Sequence, residues 1–142
     1  MKLDADLVMK LIVKQLSVLL AEDPKILGAY VFGSVAKGNG DGSSDLDLAV
    51  VVRDKRKVNL KQIYKLLSKV SFSMNLDLNV IDVHSSPLLL WQVVRDGKVV
   101  YRKDELELVN FESEVMKRYY DTQHLRNIYH QRLHDRFITK GL

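Results

Sequence analysis

The chain has 142 residues, of which 46% are hydrophobic and 28% charged, with seven glycines, two prolines and no cysteine. That composition supplies one folded core and excludes a disordered or collagen-like chain, a disulfide scaffold, a thiolate metal site and a cysteine nucleophile. Basic side chains outnumber acidic ones by 22 to 18, and between Arg53 and Lys69 seven basic residues face one acid, so that segment holds +6 and the rest of the chain −2. Such a stretch reads as a solvated turn and outer helix face, or as a surface that meets a nucleotide, RNA or an acidic protein. Unbroken apolar runs such as Leu48–Val52 reach only five residues, far short of the roughly 18 needed for a membrane span. With Asp4, Asp6, Lys10 and Lys14 inside its apolar pattern, the amino terminus is not a secretory signal, and the expected compartment is the cytoplasm.

In chain order, residues 4–22 are predicted to form an amphipathic helix. Leu7, Leu11 and Val18 mark its stripe, Val8, Ile12, Leu16, Leu19 and Leu20 widen it, and Asp4 or Asp6 caps it. Leu27–Phe32 reads as a strand, 33–44 as a glycine-rich loop and Asp45–Val52 as a second strand. Asn59–Phe72 reads as a helix with Leu60, Ile63, Leu66, Leu67 and Val70 inward, and Leu76–Val83 as a strand. Ser86 and Pro87 open a helix running to about Arg95, with Trp91 in the core. Asp96-Gly97 turns the chain into a short strand, Lys98–Arg102, and 104–137 is helical, as two helices or one bent one. The interleaving predicts an α/β (α+β) fold, a small mixed β-sheet covered by helices. One domain over 1–142 is expected, with a core at about 5–102 and a helical C-terminal part at about 104–138.

The chemistry concentrates between Val31 and Val50. A strand runs into Gly33-Ser34, a loop follows, and Asp45 and Asp47 open the next strand two residues apart, on the same side. Two adjacent carboxylates repel unless cations neutralise them, and oxygen ligands with open positions suit Mg²⁺ shared with substrate phosphates. The Gly-Ser turn offers backbone N–H groups to phosphate oxygens. A diacid beside a phosphate nest is the equipment of metal-assisted phosphoryl or nucleotidyl transfer. A third carboxylate is expected from Leu76–Val83, where Asp77, at the strand's beginning, is preferred over Asp82, at its exit. Elsewhere, His130 and His134 stand four apart without a third ligand, His84 and His124 read as surface residues, Tyr119 and Tyr120 as packing residues, and Ser43 and Ser44 have no histidine base.

Gly33-Ser34, ten intervening residues and Asp45-Leu46-Asp47 resemble the signature of the nucleotidyltransferase superfamily that includes DNA polymerase β. The short chain, with Pro87-Leu-Leu-Leu-Trp91 and Asp96-Gly-Lys-Val-Val-Tyr101, is similar to the minimal nucleotidyltransferases, the MntA-type antitoxins of HEPN/MNT toxin–antitoxin modules. The resemblance covers roughly 5–121. It departs from the family at Lys37, where an arginine is common, and in a stretch from Asp77 to Pro87 about one residue longer than expected. It implies a polymerase β-like fold with a helical C-terminal extension, and catalytic, metal-holding Asp45, Asp47 and Asp77.

 The nucleotide-binding set implied by the resemblance is Gly33, Ser34, Lys37 and Ser44. The implied activity is transfer of AMP from ATP, with two Mg²⁺ ions, to a tyrosine hydroxyl of a cognate HEPN ribonuclease toxin, which is thereby silenced. A non-catalytic antitoxin that neutralises by binding, and a transferase acting on a small molecule such as an aminoglycoside, are the alternatives. No membrane partner and no direct nucleic-acid binding are expected.

Overall fold

A computed structural model describes residues 5–33, 46–69 and 76–140. Ser34, Lys37, Ser44 and Asp45 lie outside the described residues, as do the expected Asp4 cap and the 70–72 end of the second helix. The elements run α1 (Ala5–Leu20), β1 (Ile26–Phe32), β2 (Leu46–Val52), a 3₁₀ turn (Lys55–Lys57), α2 (Leu60–Leu67), β3 (Leu76–Ile81), α3 (Pro87–Asp96), β4 (Lys98–Arg102) and α4 (Glu105–Lys140). The strands form a mixed sheet in the order β3-β2-β1-β4, in which β2 and β3 are parallel and the other pairs antiparallel.

Helices cover both faces. Leu46, Leu48, Val50 and Val52 of β2 pack with Ala29 and Val31 against Leu16 and Leu20 of α1 and Ile63 and Leu67 of α2. Ala49 and Val51, with Leu27, Tyr30 and Phe32, pack against Leu90 and Val93 of α3 and Leu108, Phe111 and Val115 of α4. The two central strands are therefore apolar on both sides, which is why their sequences read as continuous runs and not as alternations.

Several faces differ from the sequence reading. Leu7, Leu11 and Val18 of α1 are exposed, and Leu16 and Leu20 are buried. The apolar residues of α1 surround the helix, so periodicity alone does not choose the inward side. Leu60 is exposed at the first turn of α2, where Asn59 caps the helix by accepting from the Lys61 N–H at 3.0 Å. Ser86 occupies the N-cap of α3 without a side-chain capping bond, and Pro87 follows it. Trp91 is half-buried and not core: its ring stacks on Tyr119 of α4 at 4.5 Å. The C-terminal segment is one helix of 36 residues, started by Asp104, whose carboxylate accepts from the Leu106 N–H at 2.9 Å.

The segment after β2 is held by a buried acid. Asp82 accepts from the Lys55 N–H and the His84 N–H, each at 2.8 Å, while its own N–H donates to Ser85 Oγ at 3.1 Å. This ties the 3₁₀ turn to the chain leaving β3. Tyr30, also buried, donates its hydroxyl to Glu112 of α4. Burial, and then the bond to Glu112, raise its phenol well above the usual tyrosine range.

Candidate active site

Gly33, Asp47 and Asp77 meet at one end of the sheet. Gly33 ends β1 in the left-handed region, at φ +77°. Phe32 pairs with Asp47 across the antiparallel ladder, and Asp47 pairs with Asp77 across the parallel one. Paired residues share a face, so the two carboxyl-bearing positions stand side by side on adjacent strands, about 4.8 Å apart at the backbone. Alternation puts both on the side covered by α3 and α4. Asp47 is half-buried and Asp77 exposed.

The Gly33–Asp47 contact is tighter than the sequence signature implies. A Cβ built on Gly33 would lie 2.1 Å from Asp47 Oδ2. The carboxylate thus occupies the space that any other residue's side chain would need. Glycine is required here twice, by the positive φ and by this oxygen.

Of the two acids offered by the third strand, Asp77 shares the register of Asp47, and Asp82 does not reach this edge. The hydrogen bonds of Asp82 make it a brace at the opposite end of β3. Asn79, two residues beyond Asp77 on the same face and in register with Ala49, is a half-buried polar side chain that the sequence reading passed over. Strict alternation from Asp77 was the signal that could have found it.

Chemically, the edge offers carboxylate oxygens without soft donors, which suits a hard divalent cation. Among the described residues no cluster of three or more acids, histidines or cysteines forms a metal site, and His130 and His134 belong to none. The two carboxylates on adjacent strands fit a cation that is completed by substrate and water.

The basic stretch is elsewhere. Arg53, Lys55, Arg56 and Lys57 follow the exit of β2, whereas Asp47 lies near its entry. Five residues of strand separate Asp47 from Val52, about 17 Å. Arg56 is paired with Asp54 at 3.1 Å, and Arg53 with Glu107 of α4.

With this geometry in place, comparison with known proteins is decisive. Residues 14–106 match the family described as polymerase beta, nucleotidyltransferase. The chain belongs to that family. Two protein adenylyltransferases named MntA are each 33% identical to it. The one from Shewanella oneidensis matches over 87 residues, 58% of this chain and 61% of that protein. The one from Aphanizomenon flos-aquae matches over 109 residues, 69% of this chain and 71% of that protein. The chain thus spans less than two thirds of the Shewanella relative. A solved structure of a tri-AMPylated Shewanella oneidensis HEPN toxin in complex with MNT antitoxin contains a chain with the same fold. That likeness has a TM-score of 0.67 at 23% identity, over 87% of this chain and 97% of the other. No described helix is long and apolar enough to cross a membrane.

Proposed function

We propose that this nucleotidyltransferase is an antitoxin that transfers AMP from ATP to a tyrosine hydroxyl of a cognate HEPN-type toxin ribonuclease. The observation that carries the reading is the in-register pair Asp47 and Asp77 beside the positive-φ Gly33. The relatives' names, protein adenylyltransferase and MNT antitoxin, supply the nucleotide and the kind of partner.

In the reaction, the acceptor oxygen bonds to the α-phosphorus, the bond from that phosphorus to the bridging oxygen breaks, and pyrophosphate leaves with the electron pair. The acceptor's proton passes to solvent or to a neighbouring carboxylate. Asp47 and Asp77, with Asp45 from the adjoining segment, would hold Mg²⁺. When bound, Mg²⁺ would offset charge on the α-phosphate and the leaving group. Gly33 and Ser34 would cradle the phosphates through backbone N–H groups, with Lys37 and Ser44 as further nucleotide contacts. Asp47, seated against Gly33, keeps the carboxylate and the phosphate turn in fixed relation, and such orientation supplies much of the rate.

The test is incubation of the protein with ATP, Mg²⁺ and its toxin, followed by intact mass. Wild-type protein should add AMP units to the toxin and rescue growth on co-expression. The Asp45→Asn/Asp47→Asn double variant should do neither while still binding. Full rescue by that variant, with no mass added by the wild type, would establish the alternative, neutralisation by binding alone. AMP found on an aminoglycoside and never on the toxin would make the protein a small-molecule transferase.

A further inference from the structure

β3 lies at the edge of the sheet, and its two faces differ in character. Leu76, Leu78 and Val80 pack against the core that α1 and α2 complete. The other face carries Asp77, Asn79 and Ile81, and its cover grows inward: Asp77 is exposed, Asn79 half-buried and Ile81 buried. Asparagine and aspartate are both depleted in strands, so each needs a reason to be there. The proposed metal site supplies one for Asp77 and none for Asn79.

A half-buried amide without a partner weakens a fold, because burial strips part of its water. Among the described residues neither Asn79 nor Asp77 has a side-chain hydrogen bond or an ion pair. Across the ladder Asn79 faces Ala49, which is fully buried and carries no polar side-chain atom. Its same-face neighbour towards the interior is the apolar Ile81. The polar neighbour on its strand face is Asp77, about 7 Å away at the backbone, a separation that two side chains of this length close with one hydrogen bond. The amide donates, and an ionised carboxylate only accepts. A neutral donor fixes the direction of a carboxylate without cancelling its charge, which leaves the second oxygen available to a cation.

We infer that Asn79 is a positioning residue for the transferase: when Asp77 holds a divalent cation, the Asn79 amide N–H donates to one carboxylate oxygen and turns the other toward the metal. This rests on the proposed function for the use of Asp77, and adds to it the residue that orients that acid. It also sets stability against activity, since an amide waiting for its partner is a burden on the metal-free fold.

The experiment uses Mn²⁺, a cation of the same ligand preference with a spin signal, in place of Mg²⁺. Its binding to wild type, Asn79→Val and Asn79→Ala is titrated by electron paramagnetic resonance, beside melting temperature and AMP transfer to the toxin. Both variants should bind Mn²⁺ about 10-fold more weakly, the scale of losing a hydrogen bond behind a metal ligand. Transfer should fall with it at limiting Mn²⁺ and return to the wild-type rate at saturation. Without metal, Asn79→Val should melt no lower than wild type, because valine suits a strand and removes the amide. Asn79→Ala, which cannot overpack, guards against strain from the larger side chain. Wild-type Mn²⁺ affinity in both variants would overturn the positioning role and leave the function standing. Transfer that stays low at saturating Mn²⁺ would overturn it too, and make Asn79 a substrate contact. Weakened Mn²⁺ binding in the variants of a protein whose wild type never adds AMP to the toxin would remove the proposed function and keep the positioning role. Wild-type protein that takes up no Mn²⁺ would remove the metal site, and the role of Asn79 with it.

Discussion

At Gly33 a methyl group would have to share space with the Asp47 carboxylate, 2.1 Å from where it would sit. Gly33→Ala should therefore displace Asp47 and lower transfer by 100-fold or more, the scale of losing a direct electrostatic group. The left-handed backbone alone should cost about 1–2 kcal/mol. Measuring Gly33→Ala in an Asp47→Ala background separates the two effects, because only the backbone cost should survive there. Asp77 and Asp82 should divide in the same assays. Asp77→Asn, at an exposed position, should abolish transfer with little change in melting temperature. Asp82→Ala should cost about 1–3 kcal/mol of stability, since two part-buried N–H groups lose a charged acceptor, while the folded fraction keeps its activity. The reverse ranking would move the third carboxylate to Asp82. The candidate site is readable in the sequence as residue types and spacing. The pairing of Asp47 with Asp77 is not, because register is set by contacts between strands distant in sequence.

At the scale of elements, the strands and α3 were readable because turn chemistry brackets them, as Asp96-Gly97 does before β4. The continuity of α4 follows from the lack of any proline or glycine between Asp104 and Lys140. The inward side of α1 was unreadable, since Leu7, Leu11 and Val18 are as apolar as the residues that are buried. The Tyr30–Glu112 bond joins β1 to α4 and gives the fold a pH signature. Tyr30→Phe should destabilise by about 1–3 kcal/mol, through a carboxylate left without its donor. The phenol's raised value also sets a sign. Above pH 10 an unfolded tyrosine releases its proton while folded Tyr30 keeps it, so stability falls as pH rises. Denaturant titrations between pH 9 and about 11 should show that slope reduced in Tyr30→Phe.

For the whole molecule, the two ends of the sheet have separate duties. Lys55→Glu/Lys57→Glu changes charge at the exit of β2, far from the proposed nucleotide site at its entry. ATP affinity by calorimetry should stay within about twofold of wild type, and a larger loss would return the basic stretch to the nucleotide. The strand order carries a consequence for synthesis. β1 is an inner strand, but its partner on one side, β4, lies some seventy residues further along the chain. Until β4 emerges from the ribosome, the apolar segment Ile26–Phe32 presents one open row of backbone donors and acceptors, the kind of edge on which chains aggregate. A chain stopped after Asp96 should therefore collect in the insoluble fraction, and supplying Lys98–Arg102 as a separate peptide should return part of it to solution. The nascent protein is most vulnerable in the interval between making its best strand and making the strand that covers it.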